Sequence, residues 1–201
     1  GLGADVVILD PKLTLSCPEA VSVASGLDAL THALEVFVTK ARTPKSDALA
    51  LSAFTRINAA LPRVLDAPSD LEAREAMLYA AHDAGLAIAH SMLGAAHAAG
   101  NALSARYGLV HGVAVASMLP AVVAHNAEVA ENAERYEVLA EAAGLGRSVE
   151  ALTTRIEALL ALGAIAAPPI KGEDVGALAR EAATQWTGTF NPRPMDEASF
   201  A

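Results

Sequence analysis

Apolar residues in this chain recur mostly at the spacing of an α-helix. Leu27, Leu30, Leu34 and Phe37 fall three and four residues apart, which puts them on one helical face. Breaks around such runs divide the chain into many helices. Ser16-Cys17-Pro18-Glu19 reads as a helix start, with Pro suited to the first turn and Glu favoured by the helix dipole. Ser25-Gly26-Leu27-Asp28 reads as a second start, of capping-box type. Thr43-Pro44 opens a helix to about Leu61, closed at Pro62 or shortly after. Pro68-Ser69-Asp70 opens the next, with Ser69 or Asp70 as cap, running toward Gly85. A helix around His97 ends near Tyr107-Gly108. Another begins near His111, kinked or interrupted by Pro120. Further helices are expected over 128–143, 147–162 and 173–185, with loops at Pro168-Pro169 and Asn191-Pro192-Arg193-Pro194. One run departs from this pattern. Val6-Val7-Ile8-Leu9, closed by Asp10-Pro11, reads as a strand, and a lone strand needs a sheet that the rest of the chain does not offer. The predicted fold class is all-α with one short N-terminal strand.

Composition narrows the function. The chain has 201 residues, enough for a sizeable core, and 53% of them are hydrophobic while only 4% are aromatic. A net charge of −9 speaks against nucleic acid and against an anionic membrane surface, both of which call for a cationic face. The single Cys17 rules out an intrachain disulfide and fits a reducing compartment; it reads as a buried or capping thiol beside a helix start. Residues 1–15 lack the basic start and apolar run of a signal peptide. The apolar stretch Ala84–His97 carries two His and two Gly and no basic anchors, so it reads as a buried helix or helix pair rather than a membrane span. A cytoplasmic location is expected. Gly1-Leu2-Gly3 has no strand before it and is discounted as a nucleotide-binding glycine loop.

The chemistry concentrates in four side chains. Asp28 and His32 stand one helical turn apart and share a face. His97 and His111 are separated by a turn at Arg106-Tyr107-Gly108 and come from two adjacent helices. Three imidazoles and a carboxylate meeting across a bundle core form a ligand set for zinc or ferrous iron. Other readings of the same residues are open: hydrogen-bonded core or surface histidines, and Asp28 as a cap with Ser25. His90, two turns from His97 on the same face, competes for a place at the site, as do His82 and His125 by composition. Glu35, three residues past His32, either orients a ligand or pairs with a neighbouring Lys or Arg.

Two long motifs carry a family resemblance. The first is Val7-Ile8-Leu9-Asp10, then Pro18, then Ser25-Gly26-Leu27-Asp28-Ala29-Leu30-Thr31-His32-Ala33-Leu34-Glu35. The second is Gly94-Ala95-Ala96-His97-Ala98-Ala99-Gly100, continuing through Tyr107-Gly108-Leu109-Val110-His111-Gly112-Val113-Ala114. With Leu119-Pro120, Asn126 and Asn191-Pro192-Arg193-Pro194, the chain resembles the iron-containing (group III) alcohol dehydrogenase family over essentially its whole length. The resemblance implies the dehydroquinate-synthase-like helical domain, here residues 12–201. Residues 1–11 are then the remnant strand and linker of a nucleotide-binding α/β domain that the chain otherwise lacks. It also implies metal ligands at Asp28, His32, His97 and His111, Fe2+ or Zn2+ as the ion, and NAD or NADP in the cleft between domains. The implied activity is hydride transfer between the nicotinamide and a small alcohol or aldehyde, with the metal polarising the oxygen; this chain alone is expected to be inactive. Many members carry a further His near the nicotinamide where this chain has Asn101, which hydrogen-bonds but does not relay a proton. His90, unusual beside the motif, either lines the pocket or packs behind the ligands. Asp28 favours an alcohol dehydrogenase over the related maleylacetate reductases, which often replace the first ligand. Apolar surface left by the missing domain offers a route to a homo-oligomer, and the sequence leaves the oligomeric state open. The alternatives are a non-catalytic helical interaction module, or a zinc-dependent polyol dehydrogenase or dehydroquinate-synthase-like enzyme of the same superfamily.

Overall fold

The computed structural model describes residues 4–201, and Gly1-Leu2-Gly3, discounted above as a glycine loop, lie outside them. The described residues are helical: α1 (Glu19–Val38), α2 (Pro44–Asp66), α3 (Leu71–Ala89), α4 (Ala95–Tyr107), α5 (His111–Ala127), α6 (Ala130–Ala142), α7 (Val149–Leu162), α8 (Val175–Thr184) and the short α9 (Glu197–Phe200). The expected strand at Val6–Leu9 is absent, and no described residue is in a strand. Val6 and Ile8 are 77% and 87% exposed. A β-branched run without a neighbouring strand has no ladder to join and leaves its backbone groups to solvent, so it has no regular structure until Asp10 caps a 3-10 turn at Pro11–Thr14.

The central element is α1, which packs against α2, α3 and α5. Leu27, Leu30, Leu34 and Phe37 are all buried on it, as their spacing predicted. By length and composition α1 is apolar enough to cross a membrane, but most of that surface is buried within the bundle. The apolar stretch Ala84–His97 is a helix pair, α3 ending at Ala89 and α4 starting at Ala95.

The second start expected at Ser25–Asp28 does not occur, because α1 runs through it unbroken. Ser25 Oγ donates to the Val21 carbonyl oxygen at 2.7 Å, a bond inside the helix that frees the hydroxyl from capping. Asp28 therefore sits mid-helix and is not a cap. Helix α2 also continues past Pro62, to Asp66. A mid-helix proline leaves the carbonyl four residues back without its N–H partner. Here that carbonyl belongs to Asn58, and Arg155 Nη2 donates to it at 2.7 Å. Thr43 starts α2 in a full capping box with Ser46, and Asp70 Oδ1 caps α3 by accepting from Ala73 N at 3.0 Å. Helix α5 carries Pro120 without interruption.

Small residues bring the site helices into backbone contact. A Cβ on Gly112 would overlap the Ala24 carbonyl oxygen and stand 3.0 Å from Asp28 Cβ. One on Gly100 would lie 2.8 Å from Val115 Cα and N. Side chains this close to backbone cannot be accommodated by rotamer changes alone, so glycine sets the approach of α5 to both α1 and α4. Gly108, at φ 65°, ends α4 in the left-handed region, where glycine carries no Cβ penalty.

Candidate metal centre

Helices α1, α4 and α5 deliver four side chains to one point. His32, His97 and His111 each place Nε2 near a single oxygen, Asp28 Oδ1, at 3.5, 3.7 and 3.6 Å. The donor atoms of Asp28, His97 and His111 all lie within 4.8 Å of one another. His32 joins from one turn along α1, its ring stacked on that of His97 at 4.8 Å and 19°. The rings of His97 and His111 meet at 5.4 Å and 55°.

Burial is graded across the cluster. The His97 side chain is 3% exposed and forms the floor, His32 and Asp28 are intermediate at 21% and 25%, and His111 at 46% forms the rim. The cluster therefore opens toward solvent on the α5 side.

The floor is fixed by a tertiary cap. Gly94 precedes α4 and has no side chain to cap it. Instead Glu35 Oε1 accepts from Ala96 N at 2.6 Å and His97 N at 3.4 Å, and Asn191 Oδ1 accepts from Ala95 N at 3.4 Å. A carboxylate at a helix N-terminus is also favoured by the helix dipole. The second oxygen, Glu35 Oε2, lies 2.6 Å from His97 Nδ1. Of the two roles weighed for Glu35, the structure shows contact with a histidine of the cluster. Asn191 in turn exchanges amide hydrogen bonds with Asn126, at 2.7 and 3.2 Å, and Asn126 Nδ2 also donates to Tyr136 Oη at 3.1 Å. The motif residues Asn126 and Asn191 thus form a buried amide pair behind α4.

The electrostatics follow from these neighbours. Burial opposes charge on Asp28, but the three imidazoles around it, His97 foremost, hold its carboxyl below the usual carboxylate range. At 3.7 Å the His97 contact is an ion pair, longer than a hydrogen bond. Burial pushes the His32 imidazole down to about 4 against the pull of Asp28. Burial also opposes charge on His97, yet the carboxylates of Asp28 and Glu35 outweigh it and raise its pKa to about 9.

The residues fit a divalent cation on an observation independent of any family. Asp28 Oδ1 and His97 Nε2 are buried and have no hydrogen-bond partner, a costly state for polar atoms facing one another. A tetrahedral ion bonding nitrogen and oxygen at about 2.1 Å needs donors about 3.4 Å apart, close to the spacing of each imidazole from Asp28.

The remaining candidates fall elsewhere. His90 is exposed at the end of α3, where its carbonyl oxygen accepts from Thr43 Oγ1 at 3.2 Å. His125 stands beside Arg193, which donates to its carbonyl oxygen at 2.7 Å, on the wall of an apolar cavity. His82 lies on α3. Asn101 sits one turn past His97 on α4, half-buried, its Nδ2 donating to Gln185 Oε1 at 3.4 Å. The Gln185 contact and the Asn126–Asn191 pairing join residues 84 and 65 apart, and no local pattern announces either. Cys17 is half-buried just before α1.

Residues 22–200 match the model of the Fe-containing alcohol dehydrogenase family, C-terminal. The chain is 35% identical to an NAD-dependent methanol dehydrogenase of Bacillus methanolicus, over 94% of this chain and 52% of that protein. It is 39% identical to a 1,3-propanediol dehydrogenase of Citrobacter freundii, over 80% of this chain and 41% of that one. Among solved structures, an iron-containing alcohol dehydrogenase from Thermococcus thioreducens superposes with a TM-score of 0.90 at 29% identity, covering 98% of this chain and 53% of the other. The chain spans about half the length of the curated relatives it matches.

Proposed function

The chain belongs to the iron-containing alcohol dehydrogenase family, and from that premise we propose that it carries the metal half of an alcohol dehydrogenase active site. Asp28, His32, His97 and His111 are the ligands of a divalent ion, Fe2+ or Zn2+. The observation that carries this reading is the convergence of three imidazole Nε2 atoms on Asp28 Oδ1, with that oxygen and His97 Nε2 left without hydrogen-bond partners. When bound, the ion supplies Lewis acidity to an alcohol or carbonyl oxygen. The hydride partner is the nicotinamide of NAD or NADP, in keeping with the NAD-dependent relative, and its binding domain lies outside the helical bundle.

The chain's own residues divide the remaining work. Asp28 brings the negative charge, and its low carboxyl pKa keeps that charge in place at neutral pH. His97, buried at the floor, and His32, stacked on it, set the ligand directions. The exposed His111 side is the approach for a small alcohol or aldehyde. Asn101, one turn beyond His97, offers an amide to substrate or nicotinamide where a titrating group would relay a proton.

Metal analysis of the purified chain tests the ligand set. Wild type is expected to hold about one divalent ion per chain, and His97→Ala and His111→Ala to lose it. Unchanged metal content in both variants retires the reading. Alcohol-dependent NAD(P)H formation by the 201-residue chain tests the half-site claim: no turnover is expected, and robust turnover overturns it.

A further inference from the structure

Glu35 is buried to 4% exposure, and its carboxylate faces no Lys or Arg among the described ion pairs. The hydrogen bonds of its side chain all go to the first residues of α4. Oε1 takes the backbone N–H groups of Ala96 and His97, and Oε2 takes the His97 ring at Nδ1, 2.6 Å away. A carboxylate only accepts, so the ring nitrogen facing it carries the proton. In a neutral imidazole the other nitrogen then holds the lone pair, and here that is Nε2, the atom aimed at Asp28 Oδ1.

We infer that Glu35 is a positioning residue that fixes the tautomer of His97, so that Nε2 is available to an ion. The inference rests on the metal-site reading above. It adds a role for a residue that touches neither ion nor substrate, and it predicts the behaviour of a substitution that changes almost no volume.

That substitution is Glu35→Gln. The two backbone N–H groups at Oε1 require an acceptor there, so the amide oxygen takes that position. Reversing the amide would set its NH2 against both donors. The NH2 therefore faces His97 Nδ1 and donates to it, which moves the ring proton to Nε2. The cap on α4 survives, while the ligand atom is blocked. A purely structural Glu35 predicts the opposite, because Gln preserves the shape and both cap bonds.

The experiment has two readouts on the 201-residue chain. Cobalt(II) titration, followed by its ligand-field absorption, measures ion affinity. The ¹⁵N shifts of His97, recorded without ion at alkaline pH where the ring is neutral, report the tautomer. Wild type is expected to show Nδ1–H and to bind cobalt. Glu35→Gln is expected to show Nε2–H and to bind more weakly by about tenfold or more, while Glu35→Asp keeps Nδ1–H and recovers affinity. Wild-type affinity in Glu35→Gln overturns the inference and leaves the metal site standing. Weak binding with Nδ1–H retained in that variant also overturns it, since the loss then has another origin. If Glu35→Gln does not fold, Glu35→Asp decides: Nδ1–H with recovered affinity supports the role, and any other combination overturns it. Failure of wild type to bind cobalt is a failure of the metal reading instead, and the ion-free tautomers still test what Glu35 does to His97.

Discussion

The two ends of α5 make a useful contrast. Its first turns, from His111 to Val115, press against α1 and α4 so closely that only glycine fits at positions 100 and 112. Polar atoms converge there and lack partners. Its later turns, from Met118 to His125, help line a mostly apolar, partly open pocket of about 320 Å3 shared with residues such as Leu103, Leu178 and Phe200. None of Asp28, His32, His97 and His111 lines that cavity. The roomier region has little chemistry, and the region with chemistry has little room. The convergence of ligand-type atoms on Asp28 Oδ1 locates the candidate site here, and void volume does not. The cavity walls are mostly alanine, leucine, valine and methionine, with His125 and Ser199 as the polar side chains among them.

Four perturbations act differently on the two ends of α5. The largest effect is expected from Gly112→Ala, which drives a methyl group into the Ala24 carbonyl and toward Asp28. A loss of about 3 kcal/mol in urea unfolding is expected, together with weaker ion binding as His111 is pushed from Asp28. Wild-type stability in this variant would mean that the helix contact is not tight. Next, Asn191→Ala strips a buried partner from Asn126 and Ala95 N. It is expected to cost about 2 kcal/mol, and a cost near zero would show the amide pair to be idle.

The third perturbation is pH. In the ion-free chain the His97 pKa of about 9 stands above its ordinary 6.5. The stability it contributes is therefore complete below 6.5 and is lost as pH rises through about 9. The melting temperature of the ion-free chain should fall by a few degrees across that window, while the rise in melting temperature on adding zinc should grow, because an ion competes with the His97 proton. A zinc-induced rise that shrinks with pH contradicts this. The smallest effect is expected at the cavity. Ala121→Val fills space without touching the cluster, and stability should stay within about 1 kcal/mol with metal content unchanged. Lost metal in that variant would show that the two ends of α5 are coupled.

Much of this was readable from residue order, for local reasons. The Asp28–His32 spacing is one helical turn, and α1 is a helix. The turn between His97 and His111 is marked by Gly108, whose positive φ the structure shows. Errors arose where a distant or internal partner overrode a local signal. Pro62 looks like a terminator until Arg155 supplies the missing donor to Asn58. Ser25 looks like a cap until its hydroxyl turns back on Val21. Val6–Leu9 looks like a strand, but strand formation belongs to a pair and no partner is present among the described residues. Glu35 was legible as a neighbour of His32, whereas its reach to His97, 62 residues on, is a fact of packing.

The cap on α4 has a consequence for the order of folding. Four of the helices are capped by a neighbour in sequence: α2 by Thr43, α3 by Asp70, α7 by Ser148 and α9 by Asp196. The first turn of α4 instead waits for Glu35 from 61 residues before and Asn191 from 96 after. Closing loops of that length is entropically costly until other contacts have drawn the ends together. The cap on the turn that presents His97 is thus completed only when both flanks of the chain have arrived, so the proposed ligand set is assembled late, in chains whose two flanks have already met.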